Sequence, residues 1–360
     1  MDGPPGCSGR KTVMIRSKRE MRERLWIFAA VAWVSLAPGS AIAANGDACV
    51  ETAAYQQSAC EAEAEDDAFV ARAICTNGPE DEEDACIAEA LADGRAARRE
   101  CRQQLAARKQ LCGALGGGRY DPDFDPENFD GDFSNLTNPN PYFPLGIGYR
   151  WVYTGGDETV VVEVRDETKL IEGVTCIVVN DRVEIGGELV EDTDDWFGQR
   201  ESGDVVYCGE QVKDYETFAG DAPEKPELVK IDGSFKAGRD GALAGTQFLV
   251  SPQVGDVYRQ EWSPGNAEDA ARVLSTSYGF GGSDPDLDAF VPEGLAALLC
   301  NDDCVVTNEF SPIEPGAFAR KYYAAGIGLF LEVHPDSGEI VALVGCSAEL
   351  DARCNSLPLP

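Results

Sequence analysis

The rhythm of hydrophobic and polar positions changes twice along the chain. From Leu25 to Ala37 nearly every position is apolar; a basic stretch precedes this run, and Ala41-Ile42-Ala43 follows it. A basic start, a short apolar run and small residues at its end predict a secretory signal peptide over residues 1–43, cut before Ala44. The run is 13 residues long, and a helix that spans a bilayer needs about 20. No later segment is apolar enough to span, so the processed chain is expected to have no membrane span.

The second rhythm covers residues 44–113. "EAEAEDDAFVARAIC" and "IAEALADGRAARRECRQQLAARKQLC" are rich in Ala, Glu and Arg, which favour helix. Asn77-Gly78-Pro79 separates the two stretches. The acids from Glu80 to Glu83 suit the start of a second helix, and Gly113 with Gly116 to Gly118 suit its end. Cys49, Cys60, Cys75, Cys86, Cys101 and Cys112 recur at intervals of 11, 15, 11, 15 and 11. At about 100° per residue, both intervals keep the three cysteines of each helix near one face. Cysteines of one helix lie roughly 16 Å or more apart, beyond the reach of about 7 Å between Cα atoms that a disulfide allows. Bonds must therefore cross between helices. An antiparallel hairpin predicts the nested ladder Cys49–Cys112, Cys60–Cys101 and Cys75–Cys86, with "CTNGPEDEEDAC" at the tip. The spacing lacks the close C-x-x-C pairs of zinc sites, and an exported chain meets oxidising conditions.

Residues 114–144 read as an acidic Gly/Pro linker. Within it Asp121, Asp123, Asp125, Asp130 and Asp132 alternate as carboxylates around a Ca²⁺ ion do. Pro126 and Asp132 break the EF-hand pattern, so calcium is the one candidate cofactor and a solvated linker the plainer reading.

The third rhythm fills residues 145–346, and residues 347–360 form a C-terminal tail. "TVVVEVRD", "VTCIVVNDRVEI", "ELVEDTDDWFGQ", "DVVYCGEQV", "CVVTNEF" and "LFLEVHP" alternate or run β-branched between Gly, Asp and Pro turns. The predicted class is α+β: a disulfide-laddered helical hairpin, then a mainly antiparallel β domain built as a curved sheet, barrel or sandwich. A short helix is expected between Asp286 and Leu299. Gly186-Gly187 and Ser202-Gly203 suit two-residue hairpin loops. Those loops set Cys176 and Cys208 two strands apart, about 9.5 Å, with Phe197 between them and Trp196 facing away. The expectation is two free thiols. Cys300, Cys304, Cys346 and Cys354 lie close enough in sequence to pair locally, and their connectivity stays open.

Charge narrows the function. The chain carries 64 acidic and 30 basic residues, a formal net charge of −34. Such a surface repels nucleic acid and anionic lipid. His334 is the only histidine, and no G-x-S-x-G, H-E-x-x-H or phosphate-binding glycine motif accompanies it. It reads as a lone surface residue. The densest polar cluster places Asp192, Asp194, Trp196 and Gln199 on one strand and Arg259 and Glu261 on another. Acids beside an aromatic in a groove could take a sugar, a cation or a hydrolysable bond. The residues favour a secreted or periplasmic, non-enzymatic binding protein whose partner is an extracellular ligand or envelope protein. A carboxylate-based hydrolase acting on a glycan and a calcium-stabilised surface interaction protein are the alternatives.

"NPNPYFPLGIGYRWVY", "GVTCIVVNDRV", "GELVEDTDDWFGQ", "GSFKAGRDGALAG", "VGDVYRQEW" with "GNAEDAARV", "SPIEPG" and "KYYAAGIGL" follow one another between about residues 135 and 335. In content and order they resemble a family of secreted bacterial proteins with no assigned function. The resemblance implies a shared β domain and an exported or envelope setting. It brings no catalytic residues and does not include the six-cysteine hairpin.

Overall fold

The computed structural model describes residues 47–357 and 359–360, so the predicted signal peptide lies outside the described residues. Asp47 opens the first helix, α1 (Ala48–Thr76), by accepting a hydrogen bond from the Val50 N–H at 3.1 Å. That satisfies one of the donors every helix leaves free at its start. The second helix, α2 (Glu83–Leu115), stops at Gly116, whose φ of +87° suits glycine.

The two helices form an antiparallel hairpin. Cys49–Cys112, Cys60–Cys101 and Cys75–Cys86 join them as three rungs, with Cα atoms 5.7, 5.7 and 5.5 Å apart. Buried positions between the rungs include the small Ala53, Ala64, Ala90 and Gly94, and the larger Gln104, Arg108 and Leu111 between Cys101 and Cys112. A Cβ at Gly94 would stand 3.0 Å from that of Ala68, so the helices touch closely there. Small residues bury little apolar area, and the rungs take the place of a core.

Fifteen strands form one antiparallel sheet. β1 (Arg150–Gly155), β2 (Glu158–Ile171), β3 (Val174–Ile185), β4 (Glu188–Gln199) and β5 (Val205–Gln211) follow one another as a meander. β10 (Val257–Arg259), β11 (Ala270–Tyr278), β12 (Cys304–Phe310), β13 (Phe318–Ala324), β14 (Gly328–His334) and β15 (Glu339–Cys346) form a second meander. β15 pairs with β1 and joins the two. Short strands extend the β4–β5 end: β6 (Asp214–Thr217), β7 (Pro226–Lys230), β8 (Phe235–Lys236) and β9 (Gly245–Phe248).

The sheet curls until its ends approach. The rings of Phe248 on β9 and Tyr323 on β13 lie 4.5 Å apart. Leu243 bridges Trp262, and Gly245 presses on the Gln260 carbonyl, where no side chain would fit. Among the described residues no ladder joins the ends, so the sheet is not closed into a barrel. Its concave face carries the main core, including Trp151, Phe197, Tyr207, Phe248, Tyr322 and Phe330. A short helix, α3 (Glu293–Leu299), buries Ala296 and Leu299 in the same core.

A second core lies on the convex face of β3–β5. Phe129, Trp196, Cys176, Cys208, Val206 and Ala244 form it, with Phe124 packed against it. The segment predicted as a linker supplies both phenylalanines, and Asp130 N–H donates to the Gln199 carbonyl at 2.9 Å.

Cys176 and Cys208 are disulfide-bonded, with Cα atoms 6.8 Å apart, which corrects the expectation of two free thiols. The register explains the error. The β4–β5 loop lies between Arg200 and Asp204, which pair by a 2.9 Å hydrogen bond, so it holds three residues rather than two. One irregularity in β3–β4 pairs Ile177 with Phe197, which sets Cys176 beside Gly198. Another in β4–β5 makes Cys208 the extra residue between Tyr207 and Gly209. Each inserted residue flips a face. Phe197 therefore points into the main core, Trp196 shares the cysteines' face, and Gly198 leaves the gap between them open.

Cys300–Cys304 and Cys346–Cys354 pair locally. Alkylation of the denatured, unreduced protein should label none of the twelve cysteines between Cys49 and Cys354. Labelling of Cys176 or Cys208 would contradict the bulged register.

Candidate functional site

Six residues were the sequence's cleft candidates, and the fold disperses them. Asp192 and Asp194 lie on the convex face. Asn180 Nδ2 donates to their Oδ1 atoms at 2.9 and 3.2 Å, and Lys213 Nζ lies 3.8 and 3.4 Å from them. Trp196 enters the second core, with Lys169 Nζ 3.4 Å above its ring. Gln199 is fully buried; it donates to the Asn138 carbonyl at 3.1 Å and accepts from Asn140 N–H at 3.4 Å. It thus anchors the segment before β1.

Arg259 belongs to the junction between hairpin and sheet. It is 3% exposed, stacks 4.2 Å from the Trp262 ring, and directs Nη2 at Cys49 Sγ at 3.7 Å. Its Nε and Nη1 have no hydrogen-bond partner. Beside it Glu268, 0% exposed, accepts a two-pronged bond from Arg108 at 2.8 and 2.9 Å and a bond from Gly265 N–H at 2.7 Å. Of the six candidates, Gln199 and Glu261 face the concave side, and only Glu261 joins other acids there.

The calcium candidates do not assemble. Asp123 accepts from Asp125 N–H, Asn128 and Arg200. Asp125 caps a short turn at Glu127, Asp130 accepts twice from Thr137, and Asp132 accepts from Ser134 N–H. Asp121 adds nothing to a shared site. Among the described residues no three His, Cys, Asp or Glu side chains are placed to hold a metal ion. Each acid is used locally, because an Asp in a turn captures the nearest free N–H.

A different acid set stands on the concave face. On β3 the inward positions run Ile177, Val179, Asp181; on β4 they run Phe197, Asp195, Thr193. Asp195 lies directly opposite Glu210 of β5. Glu261, just past β10, reaches them from the other end of the curled sheet, with Asp269 and Glu191 nearby. Tyr207 Oη donates a short hydrogen bond to Asp195 Oδ1. The Asp181 Oδ1 atom is buried without a partner.

Burial and mutual repulsion raise the proton affinity of the whole set. Burial, together with the nearby Glu191 and Asp194, pushes Asp195 to about 7. Burial and Asp195 push Glu210 to about 9. Asp181 and Glu261 are raised well above the usual carboxylate range, by burial first and their acidic neighbours second. Two carboxylates facing each other across strands cannot both ionise cheaply.

One cation balances the far side. Lys321 Nζ lies 3.0 Å from Glu309 and 3.6 Å from Glu332. His334 Nε2 lies 3.0 Å from Glu332, so the histidine is paired rather than free at the surface. Burial would raise Glu332, but Lys321 and His334 outweigh it and hold it at about 2.

Asp181 and Glu210 were missed because acids abound in this sequence; Asp195 stands in the polar cluster the sequence offers, on the strand face not chosen for the cleft. For Asp181 and Asp195 the available signal was parity, with Val179 and Phe197 two residues away apolar and inward; Glu210 follows the bulge at Cys208, where parity gives no signal. The arrangement can bind a positive charge, or hold and move a proton between Asp195 and Glu210. Two surface hollows lie elsewhere, one at Phe69 and Ile87 on the hairpin and one at Leu189 and Tyr215. No protein-family model matches the chain, and no curated protein or solved structure matches it.

Proposed function

We propose that this is an exported binding protein whose concave acid set takes an organic cation, such as an amine-bearing ligand. The observation that carries this reading is the excess of half-buried carboxyls over cations around Asp195. Desolvation first, and repulsion from neighbouring acids second, lead Asp195 and Glu210 to hold their protons to about 7 and about 9, and Lys321 offsets this only in part at Asp195. A ligand ammonium would replace those protons and regain the lost Coulomb energy. Export is supported by six disulfides, which belong to oxidising compartments, and by the signal-like leader. The described residues contain no helix long and apolar enough to cross a membrane. The resemblance to secreted bacterial proteins supports the same setting.

Calorimetry with spermidine tests the reading. Binding should tighten from pH 6 to pH 8 and release protons, seen as a heat that varies with buffer. Asp195→Asn and Glu210→Gln should weaken it at least about tenfold, the loss of about 1.4 kcal/mol. Asp192→Asn, on the convex face, should not. Equal binding by all three variants would mean diffuse attraction to an acidic surface and would end the proposal.

The opposed Asp195 and Glu210 also support a second reading, a carboxylate-based hydrolase. Two carboxyls that share protons are the parts of an acid–base pair. Turnover of a glycan lost in both Asp195→Asn and Glu210→Gln would favour it over simple binding.

A further inference from the structure

The end of the hairpin away from the sheet carries a feature the concave face does not explain. Gln56, Gln104 and Arg108 tie the near end down, through Glu268 and the Ile313 carbonyl. From Gln56 to the tip, α1 runs on for about 30 Å at about 1.5 Å per residue. The rungs Cys60–Cys101 and Cys75–Cys86 hold that length rigid.

Near the tip a shallow groove between the helices is lined by Phe69, Arg72, Ala73, Thr76, Asn77 and Ile87; the Arg72 guanidinium lies 5.5 Å from the Phe69 ring, a single cation among the more numerous acids of the tip. Phe69 is 57% exposed, and Leu91, one turn beyond Ile87 on the same flank, is 40% exposed. Large apolar side chains in a groove and open to solvent lose hydration energy only if something covers them. Acids frame the strip. Glu65 and Asp66 lie one turn before Phe69, and Glu83 and Asp84 one turn before Ile87.

We propose that this groove docks a basic amphipathic segment of another protein, apolar on one face and lysine- or arginine-bearing on its rim. Charge decides between occupants. A second copy of this chain would bring its own acidic tip, and an anionic membrane would repel Glu83 and Asp84. A cationic segment meets apolar floor and acidic rim together, as helices in grooves do. The disulfide at Cys75–Cys86 fixes the groove walls beforehand, which lowers the cost of docking.

Fluorescence anisotropy on the full protein, at physiological salt, tests this with an 18-residue labelled peptide of leucines at helical spacing and lysines elsewhere. Phe69→Ser and Leu91→Ser should each weaken binding about tenfold or more, while Leu170→Ser, at an exposed residue of β2, should leave it unchanged. Glu83→Gln should weaken binding and flatten its salt dependence. The same peptide with glutamates for lysines should not bind. Helicity measured by circular dichroism confirms that each variant folds, and Ile87→Ser replaces any that does not. Equal binding by the serine variants would show that the peptide senses only bulk charge, and would overturn the proposal. So would self-association in the ultracentrifuge abolished by Phe69→Ser, which makes the occupant a second copy. Phe69-dependent binding to phosphatidylcholine vesicles would overturn it in favour of lipid.

Discussion

Arg108→Met should destabilise the protein by about 3–5 kcal/mol, the cost of leaving a buried carboxylate without its cation. Glu268 is 0% exposed and Arg108 3% exposed, so water cannot replace the lost guanidinium. The two-pronged bond is the strongest polar link between hairpin and sheet, at 2.8 and 2.9 Å. Gln56 and the Gly265 N–H also serve Glu268 and cannot neutralise it, and Arg259, the other cation nearby, makes no hydrogen bond to it. Urea unfolding followed by tryptophan fluorescence measures the loss. The same mechanism makes a second demand. Removing both charges, as in Arg108→Met with Glu268→Met, should recover only part of the stability, since buried Arg259 then loses the carboxylate beside it. If Arg108→Met alone costs less than about 1 kcal/mol, the range of an exposed ion pair, the junction opens to solvent and the hairpin is not locked to the sheet.

That junction shows how far sequence reasoning reached and where it stopped. The rungs of the hairpin were legible because the cysteine spacing and helix geometry admit one nested pairing. Strands β3, β4 and β12 were legible to the residue, since β-branched runs ended at Gly, Asp or Pro. Short strands such as β6, β8 and β9 were not; their pairing depends on a curl that brings distant segments together. The Arg108–Glu268 pair was hidden for the same reason, with 160 residues between its partners. The candidate site was legible only in part. Glu261 was named, but its neighbours were assigned by strand alternation alone, and alternation cannot show that the two ends of a sheet meet. One irregularity in each of two ladders moved Cys176 and Cys208 from the face of Phe197 to that of Trp196. Bulges leave little trace in sequence, because the inserted residue needs no special chemistry.

The acid set should make the protein most stable near pH 5 and weaken it steadily toward pH 9. Asp195 and Glu210 hold their protons to about 7 and about 9 in the fold. An unfolded chain releases the same protons near pH 4. Between those values the folded state binds more protons, so stability must fall as pH rises. His334 acts in the same direction: its bond to Glu332 raises its proton affinity, and that contribution is present below about pH 6.5 and lost above it. Glu332 has the opposite sign. Held at about 2, it stabilises the fold above about pH 4.5 and loses that contribution as acid protonates it. Melting temperature measured from pH 3 to pH 9 should therefore peak at mildly acid pH.

Surface repulsion at a net charge of −34 also grows with pH, and substitutions separate the two causes. Asp195→Asn or Glu210→Gln should gain on the order of 1–3 kcal/mol at pH 8, change little at pH 5, and flatten the alkaline limb. Asp192→Asn removes one charge from the convex face and should leave the limb as it was. A melting temperature that rises from pH 5 to pH 8 would show that Asp195 and Glu210 ionise freely. The cation proposed for the concave face would then have no protons to displace. A falling limb that both inward variants flatten ties the stability cost to the same carboxyls that the ligand is expected to meet. Residues kept at such a cost are those whose chemistry the fold has been built to hold.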